Sequence, residues 1–134
     1  MRSIAFAALM LTAAVLPAQA DEEKHKQTQS ESFIMVEPMY TTIVDSGRPQ
    51  GLLLVAIGLD IPNAALRAEV EHGMPVLRDE YVRSLMAFTA AAVRPYQQPD
   101  VGMIADRLQR LTDRALHKKG ARVLLAQVAI QKKH

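Results

Sequence analysis

Cysteine is absent from this chain of 134 residues, and so are the glycine-rich motifs of nucleotide-binding proteins. Without cysteine no disulfide can form, so stability must come from the packing of a hydrophobic core. The same absence argues against a lipoprotein, in which lipid is attached to a cysteine behind the signal sequence. The six glycines are scattered, which excludes a glycine-rich loop that would hold phosphate groups. The length suits one domain with its own core.

Patterns typical of catalytic and metal-binding sites are also missing. The histidines are spaced unlike the ligands of a metal site: His25, His72, His117 and His134. Ser46 and Ser84 lie outside any recognisable nucleophile motif. The sequence therefore predicts no catalytic residue, no cofactor-binding residue and no metal ligand, and it favours a protein that is not an enzyme. A small hydrolase is the alternative, if serine or aspartate meets histidine in a shared cleft.

The first twenty residues have the layout of a secretory signal peptide. Arg2 precedes an uncharged apolar run at residues 4–16, which is shorter than the ~17–25 residues of a membrane-spanning helix. Ala18 and Ala20 then supply the small side chains that signal peptidase accepts, directly before Asp21. We expect cleavage after Ala20 and a periplasmic mature protein. An uncleaved membrane anchor is the alternative.

Charge and composition divide the remaining chain. Residues 21–32 contain no apolar side chain and predict a disordered leader, ahead of one domain at residues 33–134. Residues 94–134 carry nine basic and three acidic side chains, whereas residues 21–93 carry six basic and eleven acidic ones. An exported protein rarely meets nucleic acid. The basic half therefore points to an acidic protein, to peripheral contact with an anionic membrane, or to a solvated helix face.

Apolar periodicity predicts an α+β domain in the order β-β-α-α-α-β. Residues 33–44 and 51–61 are rich in apolar and β-branched side chains and predict two strands. Residues 45–49 are rich in turn-forming side chains and join these strands into an antiparallel hairpin. Pro38 cannot donate a hydrogen bond to a ladder, so we expect an edge position or a bulge there.

Three helices are expected after the hairpin. Asn63 caps a short helix, and Pro75 opens a longer helix that ends before Pro95. Asp100 caps a third helix that runs to about Lys119. The long helix has a broad apolar stripe: Leu77, Tyr81, Val82, Leu85, Met86, Phe88, Ala92 and Val93.

A closing strand at residues 122–131 completes a small, mostly antiparallel, three-stranded sheet with the helices on one face. Val55 and Ile57 share a face of the second strand and are expected to be buried. The closing strand is expected to have one apolar side: Leu124, Ala126, Val128 and Ile130. Core positions are also expected for four methionines: Met35, Met39, Met86 and Met103.

The third helix carries the candidate partner-binding residues. Arg107, Arg110 and Arg114 form a row on one side of this helix, away from its apolar seam. Such a row suits an acidic partner. The alternative is a surface paired internally, because Asp106 and Asp113 lie four residues before and three residues after Arg110.

Four strings of the sequence, in this order, resemble the periplasmic domain of the flagellar basal body-associated protein FliL family. They are FIMVEPMYTTIVD at 33–45, GLLLVAIGLDI at 51–61, MPVLRDEYVRSLMAF at 74–88 and VLLAQVAIQ at 123–131. The resemblance implies a stomatin/prohibitin-like fold, assembly into rings or arcs, and association with the flagellar stator or basal body. It implies no enzymatic activity and no cofactor. A signal peptide stands here in place of the family's membrane anchor.

The resulting expectation is a non-enzymatic periplasmic scaffold that assists the flagellar motor or a related envelope assembly, with self-association as a possibility that the family suggests. The alternative is a periplasmic carrier of an apolar or lipid-like ligand, held in a groove between the helices and the sheet. A cavity of ~300 Å³ or more in that groove would favour the carrier.

Overall fold

Residues 31–133 are described by the computed structural model, and within them the elements follow the order β-β-β-α-α-α-β. The strands are β1 (Phe33–Met35), β2 (Met39–Asp45), β3 (Arg48–Asp60) and β4 (Arg122–Lys132). The helices are α1 (Ala64–His72), α2 (Met74–Ala92) and α3 (Val101–Leu116). The predicted α+β class is confirmed. The predicted signal peptide, with Ala18, Ala20 and Asp21, lies outside the described residues.

The longest strand, β3, is the centre of an open antiparallel sheet. It pairs with β4 along residues 51–60. It also pairs with β2 along residues 48–55 and with β1 along residues 58–60. Because a strand has two edges, β1 and β2 must both lie on the edge opposite β4. They are the two parts of the single strand that the sequence predicts at residues 33–44.

Pro38 lies in the break between β1 and β2, which confirms its predicted edge position. Val36 still donates its backbone N–H to the Ile57 carbonyl at 3.1 Å, but Glu37 and Pro38 belong to neither strand. Within the break, the Pro38 carbonyl accepts a hydrogen bond from Nη2 of Arg78 in α2 at 3.1 Å. A residue without an N–H therefore splits the edge strand at a position where no neighbouring strand requires that N–H.

The hairpin turn is tighter than the five residues predicted. Only Ser46 and Gly47 separate β2 from β3, and both have positive φ, 52° and 74°. Two central residues with positive φ are typical of a two-residue turn that matches the twist of the flanking strands. Arg48 and Pro49 consequently belong to β3, which begins three residues earlier than the sequence predicts.

The helices pack on one face of the sheet, as predicted. Val55 and Ile57 are 1% and 0% exposed, which confirms that their shared face is buried. The same core includes apolar side chains from each element that contacts this face: Met39, Ile43, Leu53, Leu59, Ile61, Leu66, Val70, Leu77, Tyr81, Leu85, Phe88, Ile104, Leu108 and Leu111.

The closing strand contains a bulge that the sequence analysis did not anticipate. The register changes where Ala56 pairs with Gln127 and Ile57 pairs with Leu125, so Ala126 is an extra residue. An extra residue reverses which side chains face the core. Val123 and Leu125 face the helices before the bulge, and Val128 and Ile130 face them after it. The prediction of Leu124 and Ala126 on the same side as Val128 was therefore wrong.

The predicted caps are confirmed at two helices. Asn63 Oδ1 accepts from the Leu66 backbone N–H at 2.9 Å, and Asp100 Oδ1 accepts from that of Met103 at 3.0 Å. The predicted end of α3 at Lys119 was wrong, since the helix stops at Leu116. His117 takes a left-handed conformation, with φ 54°, and this ends the helical hydrogen bonding.

Methionine positions were predicted poorly. Met39 is buried, but Met35, Met86 and Met103 are 60%, 57% and 53% exposed. Met86 lies at the margin of the α2 stripe, where the sheet and α3 no longer reach, and Ala92 at the end of that helix is exposed too.

Within residues 31–133, no helix combines the length and the apolar content needed to cross a membrane.

Candidate interaction surfaces

The arginine row of α3 divides into one anchored and two free side chains. Arg107 is half-buried, and its Nε donates to Ser84 Oγ at 2.8 Å. Its guanidinium carbon lies 6.0 Å from the centroid of the Phe88 ring, within the range of a cation–π contact. Both contacts belong to α2, so Arg107 packs the two helices together and is the least available of the three for a partner.

Arg110 and Arg114 are exposed. Neither forms an ion pair or a side-chain hydrogen bond within the described part of the chain, where the acid–base pairs are Asp79–Arg83 at 3.0 Å and Glu69–Lys118 at 3.8 Å. The row is therefore not paired internally through Asp106 or Asp113, although the spacing in sequence allows it. The predicted i,i+4 pair of Asp79 and Arg83 is present.

Gln109 fixes the rotation of α3 and so determines where the row faces. Its Nε2 donates to the Ala121 carbonyl at 2.9 Å, and its Oε1 accepts from the Val123 backbone N–H at 2.8 Å. The same Nε2 lies 3.0 Å from Asp113 Oδ1. Both ends of the amide are thus bound on the β4 side of the helix. The sequence offers no signal for this contact, because an isolated glutamine beside an apolar seam is a common surface residue.

A shallow open depression adjoins Arg114, between α2 and the end of α3. It has a volume of about 510 Å³, and its lining is mixed in charge: Glu80, Arg83, Leu111, Arg114, Ala115 and His117. Leu111 and Ala115 supply apolar atoms to the lining, and Arg114 supplies a positive charge, whereas Arg83 is paired with Asp79. An acidic side chain with an apolar stem would find complementary groups here.

The face of the sheet away from the helices is the second exposed surface. None of the described helices packs against it, yet its side chains are largely apolar. Met35, Tyr40, Val44 and Leu52 are 60%, 51%, 48% and 37% exposed. In an antiparallel sheet with one solvated face, that face normally alternates to polar residues. A contiguous apolar face of this kind is typical of an interaction site.

The groove in which a carrier would hold its ligand, between the helices and the sheet, is filled by side chains. Leu53, Ile57 and Leu59 on the sheet are 0% exposed, as are Leu85 and Leu108 on the helices. A ligand at this level would have to displace core side chains. Two openings lie at the margins of the sheet. One is a shallow depression of about 530 Å³ between α3 and the start of β4, edged by the polar and charged side chains of Asp60, Gln109, Asp113, Lys119 and Arg122. The other is a cleft of about 280 Å³ between the loop after α2 and the end of β4, where Lys132 Nζ lies 5.3 Å from the Tyr96 ring centroid.

Metal binding and nucleophilic catalysis each require particular side chains to lie close together. Within residues 31–133, no three His, Cys, Asp or Glu side chains form a group that could hold a metal ion. Ser46 lies in the hairpin turn. Ser84 accepts a hydrogen bond from Arg107 and has no histidine among its hydrogen-bond partners.

Comparison with protein-family models finds no match to this chain. Comparison with curated protein sequences also finds no match.

Proposed function

We propose that this domain is a non-enzymatic periplasmic interaction module, similar to the periplasmic domain of FliL, that assists the flagellar motor or a related envelope assembly. One observation carries the proposal. The four strings that resemble the family coincide with β1 and β2, with β3, with α2 and with β4, while α1 and α3 lie between them without a matching string.

The arginines of α3 are the proposed docking residues. Arg110 and Arg114 extend into solvent without a carboxylate partner in the described chain, so their charge is available to another molecule. Arg107 contributes by holding α3 against α2, since it is bound to Ser84 and Phe88. The proposed partner is an acidic envelope protein, in keeping with a stator or basal-body component. A stomatin-like organisation of the fold belongs to the same proposal.

Charge reversal on the row tests the docking role. Arg110→Glu with Arg114→Glu should abolish recovery of envelope partners in a pull-down, while circular dichroism stays unchanged because both side chains are exposed. Arg48→Glu with Arg94→Glu is the matched control, since these arginines are also exposed and lie off the row. Recovery by wild type should fall as salt rises, because exposed charges are screened over ~8–10 Å at physiological ionic strength. Equal recovery by both double variants would exclude the row as the docking surface.

Deletion of the gene in its own host tests the assignment to flagella. Loss or slowing of swimming in viscous medium, restored by the wild-type gene and not by the double-Glu variant, is the expected result. Normal swimming with partner recovery still dependent on Arg110 and Arg114 would replace the flagellar role by another envelope assembly. Normal swimming with no partner would overturn the proposal as a whole.

A further inference from the structure

The open face of the sheet is continuous across its strands. Cross-strand partners point to the same side of an antiparallel sheet, so the register identifies its members. Tyr40 pairs with Leu54, which pairs with Ala129, and Met35 pairs with Gly58, which pairs with Leu124. Leu52 lies between Thr42 and Gln131 at the end nearer the hairpin. The apolar residues thus run along β3 and spread to both neighbouring strands.

The dimensions of this face are those of a small protein interface. Three strands lie side by side only along residues 51–60 of β3, which span ~33 Å at ~3.3 Å per residue, and strands ~4.8 Å apart make this part ~14 Å wide. The face therefore measures ~460 Å² per copy, about half of the ~800 Å² per partner of a standard stable interface, and Leu54 and Ala56 at its centre are already only 7% exposed. A dimer through this face would be weak and would depend on protein concentration. Packing two such faces ~10 Å apart is also how β-sandwiches bury their inner surfaces.

We propose that the open face binds the open face of a second copy of this chain, about a two-fold axis parallel to β3. Such an axis preserves the position of each residue along the strands and exchanges the two edges of the sheet. The edge formed by β1 and β2 in one copy then lies over β4 of the other, and β3 lies over β3.

The positions of charged residues at the edges of the sheet favour this axis over a two-fold axis across the strands. Arg122 is exposed at the start of β4, level with Phe33 and Asp60. Over the opposite edge of a second copy it falls beside β1, whose two ends are flanked by the exposed carboxylates Glu31 and Glu37. A two-fold axis across the strands would instead reverse the strand direction and place Arg122 over the far end of the partner's β4, which carries Lys132. Like charges in such a position disfavour the arrangement.

A matched pair of variants tests the surface. Met35→Lys with Val44→Lys places two charges on the open face, and Met86→Lys with Val76→Lys places two on exposed apolar positions of α2. The association constant from sedimentation equilibrium should fall by ~100-fold or more for the first pair, because the dimer would bury four unpaired ammonium groups. The α2 pair should dimerise as wild type does. A monomeric wild type, or equal dimerisation by both pairs, would overturn the proposal.

Cysteine cross-linking tests the axis, and the absence of native cysteine makes the labelling specific. Thr42, Leu52 and Gln131 lie at one level of the sheet. With a short bis-maleimide, Leu52→Cys should link to itself, and Thr42→Cys should link to Gln131→Cys when the two proteins are mixed. Neither Thr42→Cys nor Gln131→Cys should link to itself. Self-linking of Thr42→Cys without the mixed product would exclude this axis.

Charge exchange gives a third measurement. Arg122→Glu should weaken dimerisation, and adding Glu31→Arg should restore part of the loss, because Glu31 is the carboxylate nearer the level of Phe33 and Arg122. A general loss of solubility cannot produce such a recovery. The self-association does not depend on the arginine row. Arg110→Glu with Arg114→Glu should leave the dimer intact, so failure of one proposal is distinguishable from failure of the other.

Discussion

The phenolic oxygen of Tyr81 lies 2.6 Å from Thr112 Oγ1, in the buried interface between α2 and α3. The direction of the bond follows from a second contact. Thr112 Oγ1 donates to the Leu108 carbonyl at 2.7 Å, so Thr112 must accept the Tyr81 proton. An equivalent pair joins α2 to the sheet, where Thr41 lies 2.6 Å from Thr89, and Thr89 donates to the Leu85 carbonyl at 2.7 Å. Two satisfied hydroxyl pairs therefore fix the position of α2 on both of its neighbours.

A double-mutant cycle at this contact should show strong coupling. Thr112→Val leaves the buried Tyr81 hydroxyl without an acceptor and should cost ~1–3 kcal/mol of unfolding free energy. Tyr81→Phe removes the donor and should cost ~1–2 kcal/mol. The double variant should cost clearly less than the sum, since both hydroxyls are then gone. Urea denaturation measures each value, and strictly additive losses would show that the two oxygens do not share a hydrogen bond.

Stability should fall at alkaline pH because of Tyr81. Burial raises the pKa of Tyr81 from 10.0 to about 12, although its hydrogen bond with Thr112 acts in the opposite direction. Between these values the unfolded chain loses the proton and the folded chain keeps it. The unfolded state is therefore favoured increasingly as pH rises, and the loss amounts to ~3 kcal/mol once pH exceeds the folded pKa.

The measurement is the unfolding free energy of wild type and Tyr81→Phe from pH 9 to about pH 12. The phenylalanine variant lacks the ionising group, so the difference between the two proteins should shrink or reverse across this range. A parallel decline in both proteins would assign the alkaline loss to other groups.

Truncation of the central strand should destabilise strongly on one face only. Val55→Ala and Ile57→Ala should each cost ~2–4 kcal/mol, since both side chains lie in the core and leave a cavity. Val44→Ala is the control on the other face of the sheet, where the side chain is 48% exposed, and it should cost little. Thermal unfolding of the three variants decides the matter. Equal midpoints for Ile57→Ala and wild type would contradict the packing described.

Local signals in the sequence predicted most of the fold. Asn63 and Asp100 have the side chains that cap helices, and Pro38 lacks the donor that an inner strand needs, so each acts on its own immediate backbone. The α2 stripe was predicted for the same reason, because a 3.6-residue period reports one buried face. Features that depend on contacts with other elements could not be predicted from local patterns in the sequence. Met86 is apolar and correctly spaced, yet nothing packs over it.

The surfaces were predicted less completely than the elements. The row on α3 follows from helical spacing, but the difference between Arg107 and Arg110 depends on Ser84, 23 residues away in sequence. The open face of the sheet could not be predicted from the apolar run of β3. An uninterrupted apolar run predicts burial without telling which face a helix covers. Only the register with β2 and β4 separates Val55, which faces the helices, from Leu54, which faces away.

Export should remove the first twenty residues. The apolar run at residues 4–16 is shorter than the ~17–25 residues of a membrane-spanning helix, and Ala18 and Ala20 match the small side chains that signal peptidase accepts. Intact-mass measurement on the soluble periplasmic fraction should give a chain that starts at Asp21. An Ala20→Leu variant should keep the segment and pellet with membranes. Wild-type protein that retains Met1 and pellets likewise would reverse the prediction of localisation.

Two glycines of β3 should respond differently to alanine. A Cβ at Gly51 would overlap the carbonyl oxygen of Gln131 and lie 3.2 Å from Lys132 Cα, both backbone atoms of β4. The three atoms nearest to a Cβ at Gly58 all belong to the ring of Phe33, a side chain that can rotate away. Gly51→Ala must therefore push β4 from β3 and should cost ~2–3 kcal/mol, whereas Gly58→Ala should cost ~1 kcal/mol.

The Phe33→Ala background separates these two causes. With the ring removed, Gly58→Ala should cost much less in urea denaturation, because the three atoms nearest to the added Cβ all belong to the Phe33 ring. Gly51→Ala should cost as much in that background as in wild type, since the backbone of β4 is still in the way. Rescue of Gly51→Ala by Phe33→Ala would show that the two glycines respond to one shared distortion of the sheet. If Gly51→Ala does not change stability, β3 and β4 must lie farther apart beside Gly51 than the pairing of Gly51 with Lys132 indicates.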